Sequence, residues 1–145
     1  MCEARTKERR VTMGDFKEIR WRERFEHFEK AHLVLEKYAD VPLETEIEKA
    51  GVIQFFKIGF ELSWKLLKDY LESIGYITKN PRDAIKQAFQ AEVIDNGHVW
   101  LEALVSRNLT VHTYDEGLAN QMVEDIYKTY FPEMKKLYEK LKLEL

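Results

Sequence analysis

The chain has 145 residues, 26 Asp and Glu against 23 Lys and Arg for a net charge of −3, and 45% apolar residues, which sets it among globular chains of one domain and excludes intrinsic disorder. Six glycines and three prolines point to helix, and no stretch longer than seven residues lacks a charged side chain, which excludes a membrane-spanning helix and the apolar core of a secretory signal. The one cysteine, Cys2, cannot form an intrachain disulfide, so the chain reads as soluble and cytoplasmic.

Residues 1–12, MCEARTKERRVT, lack apolar periodicity and carry a net charge of +2, so they read as a flexible tail ahead of a single helical domain over 13–145. Residues 13–38 are neutral overall and the remainder carries −5, so no global basic field draws a polyanion. Any such contact must be local.

From Asp15 the periodicity sharpens. Trp21, Phe25, Phe28, His32, Leu35 and Ala39 recur at steps of three and four and predict a helix over 15–39, ended by Asp40-Val41-Pro42. A second helix is expected over 44–74 with two apolar stripes: Ile53, Phe56, Phe60, Leu67, Leu71 and Ile74 on one, Val52, Phe55, Leu62, Leu66 and Tyr70 on the other. Two apolar faces require neighbours on two sides, which marks the central helix of a bundle, and Gly75 closes it. Asn80 and Pro81 start a helix over 81–91; Asp95-Asn96-Gly97 ends it and caps the next, over 96–112. Thr113-Tyr-Asp-Glu116 has the form of a capping box and opens a helix over 115–143, open to a bend at Pro132. Strand alternation is absent, so the fold class is all-α: a mostly antiparallel helical bundle of four-helix type.

Few residues offer chemistry. There is no glycine-rich phosphate loop, paired-cysteine spacing or His-Glu-x-x-His, and no cofactor or metal is expected. His98 and Glu102 share a helix face but lack a third ligand, and His32 on the apolar stripe reads as a core histidine. Lys57, Glu61, Lys65 and Asp69 read as a surface ladder of alternating charge, although Phe60 and Leu62 flank Glu61 on a helix apolar on two sides.

The segment Arg107-Asn-Leu-Thr-Val-His-Thr-Tyr114 stands apart. On an α-helix, Asn108 and His112 share a face and Arg107 converges on the same corner. A helix end at His112 favours the imidazolium form, and the N-terminus of the next helix offers an anion site. A proton-transfer group, a fixed cation and an amide suit phosphodiester chemistry on RNA, whose 2′-hydroxyl is its own nucleophile. The same residues also fit a polar helix end in which Arg107 pairs with a carboxylate and His112 merely caps.

The stretches Ala50-GVIQFFKIGFELSWKLLKDYLE-Ser73, Asn80-PRDAIKQAF-Gln90, Ile94-DNGHVWLEAL-Val105 and Arg107-NLTVHTYDEGLA-Asn120 resemble the nucleotidyltransferase substrate-binding proteins, a branch of the HEPN superfamily of helical bundles. The resemblance implies a bundle that dimerises, partnered by a separate minimal nucleotidyltransferase. In the HepT-like toxin–antitoxin branch, the helical protein is a metal-independent ribonuclease toxin. Its nucleotidyltransferase antitoxin adds AMP to the tyrosine two residues after the motif histidine. Residue by residue, the resemblance implies Arg107, Asn108 and His112 as catalytic groups, Tyr114 as the AMPylation site and RNA as substrate. Gly-Ser and Asp-x-Asp, the nucleotidyltransferase's own signature, are absent here. A non-catalytic substrate-binding subunit of that nucleotidyltransferase is the other reading. On the enzyme reading, a two-fold dimer with Arg107 and His112 lining its groove doubles the proton-transfer groups.

Overall fold

A computed structural model describes residues 12–145; Cys2 and the expected tail as far as residue 11 lie outside the described residues. The first helix, α1 (Met13–Lys37), starts two residues earlier than the apolar pattern suggests. Thr12 caps it: its hydroxyl accepts from the Asp15 N–H at 3.2 Å, and the Asp15 carboxylate accepts from the Thr12 N–H at 3.0 Å. The same device, Thr45 with Glu48, starts α2 (Glu46–Ser73). Gly75, with φ +102°, turns the chain out of α2 in the left-handed region that glycine enters without a Cβ penalty. Asn80 caps α3 (Pro81–Gln90) as its sequence predicts.

The remaining elements depart from expectation in detail. Asn96 precedes α4 (Gly97–Ser106) but does not cap it, and its Nδ2 group donates to Glu133 at 3.0 Å. The helix expected to run to residue 112 stops at Ser106 and continues as a 3₁₀ turn, Arg107–His112. Thr113 does not cap the next helix, α5 (Glu116–Asp125); Asp115 does, accepting from the Leu118 N–H at 3.0 Å. A π-helical turn, Ile126–Tyr130, then leads into α6 (Phe131–Lys142). Pro132 has no N–H to give the carbonyl of Lys128, and the helix widens just before it. The expected interruption at Pro132 is thus a change of helical pitch.

The described residues contain helices and no strand, a helical bundle as the sequence predicts. Its direction of packing follows from cross-helix contacts. Arg20 and Arg24 near the start of α1 meet Glu72 and Asp69 near the end of α2, so these two helices are antiparallel. Tyr138 donates to Glu29 and Lys135 pairs with Glu36, so α6 also runs antiparallel to α1. Between α1, α2 and α6 sits Gly59, where a Cβ would lie 3.3 Å from the Met134 methyl and 3.6 Å from a Leu35 methyl. Glycine here sets how closely the three helices approach.

The core is aromatic. Trp21, Phe25, Phe28, Phe56, Phe60 and Trp100 are all buried, with Phe60 and Trp100 rings 5.9 Å apart and Phe56 stacked on Tyr130 at 5.6 Å. The first stripe of α2 is covered except for Ile74, whereas the second is covered only in part: Val52 and Leu66 are buried, but Phe55 is exposed. His32 is a core residue, as read from the sequence, packed against Phe131 at 4.9 Å and Tyr138 at 4.8 Å with neither ring nitrogen hydrogen-bonded. Burial pushes it down to about 4, with Glu36 and Glu29 pulling up and Lys135 pushing down as lesser effects, so the ring is neutral. No helix among the described residues is long and apolar enough to cross a membrane.

Candidate functional site

The Arg107–His112 turn is held from both ends. At its start, the Ser106 hydroxyl shares a 2.7 Å hydrogen bond with the Tyr130 hydroxyl, tying α4 to the π-helical turn. Within it, the buried Thr110 donates its hydroxyl to the Arg107 carbonyl at 2.8 Å. That local bond competes with the α-helical one, and the run Asn-Leu-Thr-Val-His has little intrinsic helix preference to oppose it. The tighter 3₁₀ pitch follows.

Pitch decides which side chains can converge. In a 3₁₀ turn of about three residues per turn and 2 Å rise, positions four apart lie about 120° around the axis. Asn108 and His112 therefore do not share the face that an α-helix would give them, and Asn108 points to solvent. The expected anion site at the next helix N-terminus is filled by the chain itself, since the Asp115 carboxylate caps it and Glu116 stands in its first turn. Arg107 forms an ion pair with Glu61 on α2. Part of the plain alternative is thus realised: Arg107 does pair with a carboxylate. His112 Nδ1 lies 3.3 Å from the Tyr114 hydroxyl, and Tyr114 is 83% exposed.

Glu61 is the residue whose place the sequence reading missed. The expected ladder does not form: Glu61 crosses to Arg107, Asp69 crosses to Arg24 at 3.0 Å, and Lys57 and Lys65 have no ion-pair partner among the described residues. In α2 the Glu61 and Asp69 carboxylates turn to neighbouring elements, whereas Lys68 and Glu72 pair along the helix at 3.0 Å. The signal was present in Phe60 and Leu62 beside Glu61, which place that carboxylate between two apolar faces. Trp64 completes the arrangement by donating its indole N–H to the second Glu61 oxygen at 2.9 Å.

His98 and Glu102 are exposed, and no group of three His, Cys, Asp or Glu side chains among the described residues could hold a metal ion. An apolar cleft of about 290 Å³ lies between the end of α1, the start of α2 and Tyr127, and none of Arg107, Asn108, His112 or Tyr114 lines it. Val105, Leu109 and Val111 are exposed around the turn.

Residues 23–143 match the family described as nucleotidyltransferase substrate binding protein like. A curated relative, a probable ribonuclease HepT from Haemophilus influenzae, is 32% identical over 75 residues; the match spans 48% of this chain and 51%, about half, of that protein. A crystal structure of a protein from Thermus thermophilus is similar at 30% sequence identity with a TM-score of 0.73, covering 79% of this chain and 98% of that one.

Proposed function

The chain belongs to the nucleotidyltransferase substrate-binding protein family, and from that premise we propose that it is a metal-independent endoribonuclease toxin, silenced by a separate minimal nucleotidyltransferase that AMPylates Tyr114. His112 takes the proton from a ribose 2′-hydroxyl. The freed oxygen attacks the adjacent phosphorus, the His112 imidazolium returns its proton to the departing 5′-oxygen, and a 2′,3′-cyclic phosphate remains. Arg107 stabilises the charge gathered on the pentavalent phosphorus, and the solvent-facing Asn108 is left to meet the phosphate and not the imidazole. The open surface around the turn suits a polymer strand better than a small molecule.

The 3.3 Å contact between His112 and the Tyr114 hydroxyl carries this reading. The phenol that would receive AMP sits against the ring that would move the proton. Attack of the Tyr114 oxygen on the α-phosphorus of ATP, with loss of pyrophosphate, would put a phosphate and a base there. Added negative charge and bulk both oppose entry of a polyanion. The exposed Val105, Leu109 and Val111 support a homodimer that brings two such turns together around one groove.

The test incubates the purified protein and its His112→Ala variant with total RNA in EDTA. Cleavage ending in 2′,3′-cyclic phosphate, lost in the variant, is expected. Co-expression with the partner nucleotidyltransferase should add AMP mass that disappears in Tyr114→Phe. No cleavage, with tight complex formation and unchanged mass, would instead favour the family description taken literally: a non-catalytic subunit that presents substrate to the nucleotidyltransferase.

A further inference from the structure

The geometry points to Glu61 as the positioning residue of Arg107: a carboxylate braced by Trp64 that fixes the guanidinium for the transition state at the expense of ground-state RNA affinity. This rests on the reading that Arg107 meets the RNA phosphate.

Lys57, Glu61 and Lys65 follow one another at single-turn spacing, yet only Glu61 reaches the Arg107–His112 turn. Both of its oxygens are engaged, one by the Arg107 Nη1 and the other by the Trp64 indole at 2.9 Å. Trp64 stands three residues along the same helix, so the brace is internal to α2 and does not depend on the turn it restrains. The two partners keep 24% and 32% of their side-chain surface in solvent, so the pair sits at the rim and not in the core.

An arginine has five N–H donors in a planar fork. The contact to Glu61 uses one nitrogen, and no second side-chain partner of Arg107 exists among the described residues. The rest of the fork remains available while its plane is held. A free arginine on a solvent-facing 3₁₀ turn would sample many rotamers, and transition-state stabilisation by a donor depends on having it oriented beforehand. The carboxylate has an opposing effect on substrate. It places a negative charge beside a polyanion and cancels part of the arginine's long-range attraction. Lys57 and Lys65, one turn to either side and without ion-pair partners among the described residues, remain to draw the strand in. A tether of this kind favours the transition state over the bound ground state, and the two effects separate in kinetics.

The experiment measures single-turnover cleavage of a short RNA and its binding by anisotropy for the full chain, Glu61→Gln, Glu61→Asp, Trp64→Phe and Arg107→Ala. Thermal unfolding and the ¹⁵Nε–¹Hε NMR relaxation of Arg107 are followed alongside. Glu61→Gln should slow cleavage by about 10- to 100-fold while RNA binding tightens by about two- to fivefold. Glu61→Asp, which keeps the charge on a shorter arm, should fall between, and Trp64→Phe should follow Glu61→Gln more weakly. The Arg107 Nε–H should be ordered in the parent and mobile in Glu61→Gln. A Glu61→Gln variant that cleaves normally while Arg107→Ala does not would overturn the proposal and leave the ribonuclease reading intact. A loss of cleavage, binding and thermal midpoint together would also overturn it, since that marks a structural residue. If the parent itself does not cleave RNA, the ribonuclease reading fails and NMR decides the tether: mobility gained in Glu61→Gln sustains it, and equal order in both removes it.

Discussion

His32 and His112 put one side chain into two opposite settings. His32 has no solvent exposure and lies among Phe28, Phe131 and Tyr138, with neither nitrogen bonded and burial holding it neutral. His112 ends a 3₁₀ turn at the surface, beside a tyrosine hydroxyl and on an element with few apolar anchors. The contrast teaches that residue type alone does not make a site. An imidazole buried in rings acts as a flat apolar filler, whereas one on a short polar turn keeps its nitrogens for chemistry.

Removing each imidazole in turn separates the two settings. On the proposed function, His112→Ala lowers the cleavage rate by about 10²–10⁴-fold and leaves the unfolding free energy from urea titration within about 0.5 kcal/mol of the parent, because a surface residue is removed. His32→Leu, of similar volume, should retain cleavage, and its stability at pH 7 should not fall, because two buried nitrogens without partners are removed. A His112→Ala variant that unfolds, or a His32→Leu variant that stops cleaving, would dissolve the distinction.

Acid should sharpen it. His32 titrates near 6.5 when the chain is unfolded and at about 4 in the fold. Between those values the unfolded chain binds the extra proton. Stability is therefore full above pH 6.5 and falls as pH drops toward 4, by on the order of 2–3 kcal/mol. Urea titrations at pH 7 and pH 4.5 should show this limb in the parent and a shallower one in His32→Leu. Smaller effects belong to the surface turn. Asp115→Ala removes the cap of α5 and should cost about 1 kcal/mol, read as a lower thermal midpoint with unchanged far-ultraviolet dichroism. Tyr130→Phe, which deletes the bond to Ser106, should cost about 0.5–1.5 kcal/mol; its mark is faster hydrogen exchange in 107–112 than elsewhere.

Much of the bundle was legible because it rests on local rules. The step of three and four from Trp21 to Leu35 names residues that are all buried, and Asn80-Pro81 starts a helix where capping chemistry requires one. The caps that failed did so for lack of tertiary information. Asn96 turns its amide to Glu133 on α6, 37 residues away, and the carboxylate of Asp115, two residues beyond Thr113, takes the cap of α5. The candidate site was readable as a list of residues and not as an arrangement. The Thr110 hydroxyl bonds back to the Arg107 carbonyl within the 3₁₀ turn, and the partner of Arg107 lies 46 positions back on another helix. Spacing within a segment cannot report either.

The π-helical turn at Ile126–Tyr130 lets the C-terminal arm carry one residue more than its register needs. Such a turn holds about one residue more than an α-helical turn, so it works as a splice that absorbs the surplus while the helices on either side keep their phase. Deleting one residue there would return the stretch to ordinary pitch with Met134, Leu137 and Leu141 still turned to the core. What would move is the turn itself, and with it the Tyr130 hydroxyl that holds Ser106. Homologous chains and engineered variants should therefore accept a single gap in 126–130 with the bundle intact, but with the 107–112 turn less firmly anchored.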